Sequence, residues 1–129
     1  MPRNRSGRPP PPYEAYWRSS SADGAPPSSV SAAYRAAGAR FDAAVERDDY
    51  LGTELAFLAY LAARECDALA DGNDMQAEKA RAMRLSFGAE HAGAWAGAFC
   101  AAALPLCRTA FFGGALALLD GMMDGAEGA

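Results

Sequence analysis

The residue types that could do chemistry fall in two places: Glu46, Asp48, Asp49, Tyr50 and Glu54 in one short run, and His91 and Trp95 further along. Glu46, Asp48 and Asp49 stand where a charged loop meets an apolar-patterned segment. A carboxylate there accepts hydrogen bonds from the unpaired backbone N–H groups of a helix start and sits at the positive end of its dipole. Asp48 or Asp49 is therefore expected as the N-cap of a helix beginning here. The same carboxylates can take a guanidinium through paired, charge-assisted hydrogen bonds. One expectation is a solvated loop with a cap, and the other is an acidic patch for a basic partner. Tyr50 adds a ring with a hydrogen-bonding end.

Glu54 is placed differently. At helical spacing Leu51, Leu55, Leu58, Leu61, Ala62 and Leu69 share one arc, and Glu54 falls between Leu58 and Leu61 inside it. A carboxylate there is costly unless something pairs with it. His91, the one histidine, lies between Phe87 and Trp95 on a second stripe. It reads as a hydrogen-bonded core side chain or as a partner contact, and a Glu54–His91 pair across a helix hairpin would satisfy both groups. Catalysis has little to stand on: there is no Gly-x-Ser-x-Gly, no phosphate-binding glycine loop and no His/Cys/Asp set at ligand spacing. The expectation is a protein that is no enzyme and needs no metal or cofactor. Cys66, Cys100 and Cys107 are odd in number and form no close-spaced pair, so they read as reduced, buried thiols of a cytosolic protein.

Stepping from these side chains to what must carry them, 129 residues make at most one domain. The chain is 51% hydrophobic, but much of that is alanine, which favours helix and buries little area. Residues 1–28 are rich in Pro, Ser, Gly and Arg and read as a flexible arm in which only Tyr13, Tyr16 and Trp17 could dock. Residues 29–124 read as all-helical, and 125–129 as a flexible tail. Ser29 or Ser31 can cap a short helix ended by Gly38. A first long helix is expected from about Asp49 to Leu69, and Asp71-Gly72-Asn73-Asp74 is a turn whose Asn73 or Asp74 caps the next. So short a turn makes the two helices antiparallel. The second is expected to run from about Asp74 to Leu104, carrying Met83, Phe87, His91, Trp95 and Phe99 as one aromatic stripe, and Pro105 opens a third that reaches Met123. The expected fold is an all-α half-bundle of three main helices plus one short one, with a disordered Pro-rich N-terminal arm.

The net charge of −4 argues against a nucleic-acid partner, which calls for a basic face, and suits a basic ligand. No signal peptide is visible, because Arg3, Arg5 and Arg8 are followed by prolines, and Pro105, Arg108 and several glycines interrupt the most apolar stretch. A cytoplasmic protein without membrane insertion is expected.

The run Glu46-Arg47-Asp48-Asp49-Tyr50-Leu51-Gly52-Thr53-Glu54-Leu55-Ala56-Phe57 resembles the signature of the TorD/DmsD/NarJ family, a Glu-Pro-x-Asp-His loop opening a helix that continues to Glu-Leu-x-Phe. Glu46, Asp49, Glu54, Leu55 and Phe57 match, while Arg47 replaces the proline and Tyr50 the histidine. A second block is similar over Phe87, His91, Trp95 and Phe99, as is Pro12-Tyr13-Glu14-Ala15-Tyr16 upstream, and Phe111-Phe112 sits where a Phe-Tyr pair falls. The resemblance covers about Pro12 to Met123 and only the later portion of the family fold. It implies a cytoplasmic chaperone that binds the twin-arginine signal peptide, or the apo form, of a molybdenum oxidoreductase during maturation and before export. It also makes Glu46, Asp48, Asp49, Tyr50, Glu54, His91 and Trp95 the client-binding residues, with the acidic loop on the arginines and a groove between helices on the apolar stretch. The alternatives are a non-enzymatic helical self-association module, homodimeric through an exposed apolar face, and a non-functional truncated homologue.

Overall fold

Short polar turns and capped helix ends set the path of this chain. In the computed structural model residues 10–18, 26–106 and 117–122 are described. Five α-helices are α1 (Glu14–Arg18), α2 (Ser28–Ala37), α3 (Leu51–Ala70), α4 (Asp74–Glu90) and α5 (Ala92–Ala103). A 3-10 turn, Leu104–Leu106, follows α5, and residues 117–122 are again helical. The described residues contain no strand, in keeping with the all-α expectation. Among them no helix is long and apolar enough to cross a membrane.

The short helix α2 lies where it was expected, but Pro27 rather than a serine side chain stands at its N-cap. Its end is a Schellman motif: Gly38 adopts φ 75°, its N–H bonds Arg35 C=O, and the Ala39 N–H bonds Tyr34 C=O at 2.9 Å. From α3, Tyr60 Oη and Arg64 both donate to Ala37 C=O at 3.0 Å, tying this end to the long helix. Gly72 at φ 73° makes the α3–α4 turn, and the Asn73 side chain accepts from Gln76 N–H, so α4 packs antiparallel on α3. Arg84 on α4 donates twice to Glu65 on α3 along that seam.

Three expectations are corrected here. The second long helix does not run unbroken to Leu104: His91 leaves helical geometry at φ −120°, ψ −95°, and separates α4 from α5. Steps of four residues drift round a straight helix, so Met83 and Trp95 cannot face one groove from a single rod. The break sends Met83 and Phe87 into a cluster with Val30, Tyr34, Phe57 and Leu61, and Trp95 and Phe99 into another with Leu51, Ala92, Ala96, Trp17 and Leu119. Second, the buried face of α3 is Leu51, Glu54, Phe57 and Leu61. It is rotated from the leucine arc toward Phe57, which leaves Leu69 exposed and Glu54 at its centre. Third, of the two described cysteines Cys66 is exposed and Cys100 is buried, where burial, with the charge of Asp120 added, pushes its thiol up to about 11. Cys107, Phe111-Phe112, the middle of the expected third helix and the tail lie outside the described residues.

Within the Pro-rich segment, residues 10–18 form α1 and dock on the body. Residues 12–14 pair with 49–51 through Glu14 N–H to Asp49 C=O at 3.1 Å and Leu51 N–H to Pro12 C=O at 2.9 Å. Trp17 donates its indole N–H to Pro11 C=O at 2.8 Å and packs edge-on against Phe99.

Candidate functional site

The loop before α3 places its carboxylates inward. Asp49 is completely buried and accepts from three directions: Arg47 Nε at 2.9 Å on Oδ1, Arg47 Nη2 at 3.1 Å on Oδ2, and the Ala15 backbone N–H at 3.0 Å on Oδ2. The expectation that Asp48 or Asp49 caps α3 is therefore corrected. Tyr50 occupies the N-cap with no side-chain cap bond, and Asp49 instead serves the unpaired N–H groups at the start of α1. Asp48 is half-buried and holds α2, accepting from Ser31 Oγ at 2.6 Å while its carbonyl accepts from Tyr34 Oη at 2.6 Å. Glu46 accepts from Tyr13 Oη at 3.1 Å, and the Arg47 guanidinium lies 4.8 Å over the Tyr13 ring. Tyr50 faces Tyr13 with ring centroids 5.8 Å apart. Gly52 admits that ring, since a Cβ there would fall 2.5 Å from Tyr50 Cε2.

A second polar cluster sits deeper, between α1, α3 and the α4–α5 break. The expected Glu54–His91 pair is not formed. His91 Nδ1 lies 3.0 and 3.1 Å from the two carboxylate oxygens of Glu14, and Trp95 Nε1 donates to Glu54 Oε1 at 3.2 Å. Arg18 donates to Glu14 from one turn on and to the Glu90 carbonyl at the end of α4. Glu54 Oε2 is buried with no hydrogen-bond partner within bonding distance. Burial first, and then the neighbouring Glu14 charge, drive the Glu54 carboxyl far above the ordinary range, so it is protonated at neutral pH. Burial also pushes Glu14 upward, but the His91 hydrogen bond and the charges of His91 and Arg18 outweigh it and leave Glu14 ionised. Of these two buried carboxyl groups Glu54 keeps its proton and Glu14 does not. Burial and the surrounding carboxylates also raise the Tyr34 phenol, keeping it a donor.

The seven expected residues therefore divide. Glu54, His91 and Trp95 meet in one buried cluster, and Glu46, Asp48, Asp49 and Tyr50 form the loop beside it. The two are joined through Glu14, whose side chain belongs to the first and whose backbone N–H bonds Asp49. Glu14 and Arg47 are the site residues that were not anticipated. The lone histidine needed an acceptor, and Glu14 in an aromatic segment was the sequence signal for one.

Next to this cluster runs a groove of about 350 Å³ between α2 and α4. It is lined by Ala32, Ala33, Phe57, Met83 and Phe87 among others, with Glu90 and His91 also on its wall. A second cavity of about 340 Å³ lies near the α3–α4 turn, with Arg64, Lys79, Asp67 and Asp71 around an apolar base. Among the described residues no group of His, Cys, Asp and Glu could hold a metal ion.

The described residues thus form a helical body with a buried carboxyl–imidazole–indole cluster at a helix break and an acidic loop at the foot of the longest helix. The family described as the nitrate reductase delta subunit matches residues 4–101. This chain belongs to that family, the TorD/DmsD/NarJ chaperones, which are non-catalytic and act in molybdoenzyme maturation. No curated protein and no solved structure matches it.

Proposed function

We propose that this protein is a cytoplasmic chaperone that binds the twin-arginine signal peptide, or the apo form, of a molybdenum oxidoreductase before export. The observation that supports it most is the apolar groove between α2 and α4 and its bonded connection to the acidic loop. α2 carries one wall of the groove and is tied to Asp48 through Ser31 and Tyr34. His91 on the groove wall is tied to the loop through Glu14. An apolar peptide stretch takes the groove while its arginines take carboxylates of the loop. Glu46, Asp48 and Tyr50, which are half-buried, face the client; Glu54, His91 and Trp95 are buried and hold the loop and groove in register, and Asp49 is the buried carboxylate of the loop on which a guanidinium rests.

Titration of a labelled twin-arginine signal peptide tests this. Ala32→Trp, at an exposed position of α2, fills the groove and weakens binding about tenfold or more without lowering the melting temperature. Asp48→Asn keeps an acceptor for Ser31, removes the charge, and weakens binding about ten- to a hundredfold. Equal affinity of the parent and both variants, or equal affinity for a peptide with lysines in place of the arginines, rejects the proposal.

A further inference from the structure

The Asp49 carboxylate already holds a guanidinium, and it belongs to the chain itself. Arg47 forms a two-pronged fork on it, Nε to Oδ1 at 2.9 Å and Nη2 to Oδ2 at 3.1 Å. The carboxylate is completely buried while the arginine side chain is 38% exposed, so Arg47 lies between Asp49 and solvent. Tyr13 supplies an aromatic wall 4.8 Å from the guanidinium carbon, and Glu46, bonded to that same tyrosine, flanks the site. The Asp49 hydrogen bond, together with its charge, holds Arg47 above the ordinary guanidinium value. Every element needed to recognise an arginine side chain is present: a fixed carboxylate for the fork, an aromatic face and a second acid.

We infer that Asp49, Tyr13 and Glu46 form a guanidinium-binding site that the free protein fills with its own Arg47, and that an arginine of an incoming peptide displaces Arg47 to bind there. The inference rests on the proposed reading of the loop as the client's arginine contact. Arg47 thereby sets a threshold: a ligand engages only if its arginine, aided by contacts elsewhere, outcompetes a tethered one. Tethering gives Arg47 a high effective concentration, so isolated arginine competes poorly and a peptide that also fills the groove competes well. Displacement also links α1 to binding, because the same carboxylate holds the Ala15 N–H and Tyr13 immediately precedes α1.

The test is Arg47→Ala in the full chain, with Arg40→Ala, an exposed arginine whose loss changes net charge equally, as control. Arg47→Ala is expected to bind the twin-arginine peptide about three- to tenfold tighter than the parent, and Arg40→Ala no tighter. Arg47→Lys, which keeps the cation without the fork, falls between parent and Arg47→Ala and serves if the alanine variant folds poorly. A readout without any peptide is thermal melting with millimolar methylguanidinium against equal sodium chloride. The emptied site of Arg47→Ala takes the probe and its melting temperature rises, while the parent is unmoved. Unchanged or weaker peptide binding by Arg47→Ala, or an equal gain in Arg40→Ala, overturns the inference while leaving the proposed function standing. If no variant and not the parent binds the peptide, the proposed function fails, and methylguanidinium decides the site alone: selective stabilisation of Arg47→Ala upholds it and none refutes it.

Discussion

At the scale of single residues, the buried carboxyl pair governs how stability responds to pH. Glu54 is protonated in the folded state because burial and the Glu14 charge raise it, while in the unfolded chain it titrates normally. Its contribution is complete below the unfolded carboxylate value and declines by about 1.4 kcal/mol per pH unit above it, until the folded group itself ionises. Glu14 runs the other way. Its lowered value gives stability that is present above the unfolded carboxylate value and is lost as pH falls through the folded one. Stability is therefore highest in weakly acidic solution. Glu54→Gln keeps an acceptor for Trp95 and has no ionisable proton. We expect this variant to melt close to the parent near pH 5 and increasingly above it toward pH 9. Melting curves whose separation does not change with pH would contradict a proton held on Glu54 in the fold.

Helices show where sequence pattern suffices and where it does not. The α3–α4 hairpin was legible because Gly72 and Asn73 carry local instructions, a left-handed turn and a cap, that need no distant partner. The end of α2 was legible for the same reason at Gly38. The break at His91 was not, because it is fixed by Glu14, 77 residues away, and no proline marks it. The candidate site was legible as a set of residues and illegible as a set of pairs. Glu46, Asp48, Asp49 and Tyr50 stood out by type, but their bonds to Tyr13, Ser31 and Arg47 depend on how α1 and α2 fold back. The start of α3 offers an element-scale prediction. Gly52 has helical geometry, so alanine alone would gain up to about 1 kcal/mol from propensity. With Tyr50 present its Cβ meets the ring at 2.5 Å and the ring must leave Tyr13, so we expect Gly52→Ala to destabilise. In a Tyr50→Ala background the same change should stabilise. A double-mutant cycle by denaturant unfolding measures this, and additive effects would show that the ring does not dictate the glycine.

At the scale of the whole molecule, the described residues form two large apolar clusters, with a small third one at Cys100 and Ala103 beside the second. Tyr34, Phe57 and Phe87 centre the first, under the α2–α4 groove, and Leu51, Trp95 and Ala96 centre the second, under α1 and α5. The buried carboxyl cluster runs between them, with Glu54 about one helical turn before Phe57 on α3 and bonded to Trp95. Among the described residues Leu58 packs against both. Its Cδ2 also approaches Gly88, where a Cβ would stand 3.9 Å away, so it spans from α3 to the last turn of α4. If the groove and the α1 clasp respond to a client together, that coupling passes through this contact. Leu58→Ala should remove about 2–3 kcal/mol of stability, as expected for a leucine that is not wholly buried. It should also change how the protein opens. In the parent, amides of α4 before Phe87 and amides of α5 exchange in one cooperative unit; in Leu58→Ala, α5 and α1 exchange first while the Tyr34–Phe57–Phe87 cluster keeps its protection. Native-state hydrogen exchange at increasing denaturant separates these outcomes. Uniform loss of protection in both helices would mean that the clusters are joined by more than Leu58, and that the carboxyl cluster itself carries the coupling.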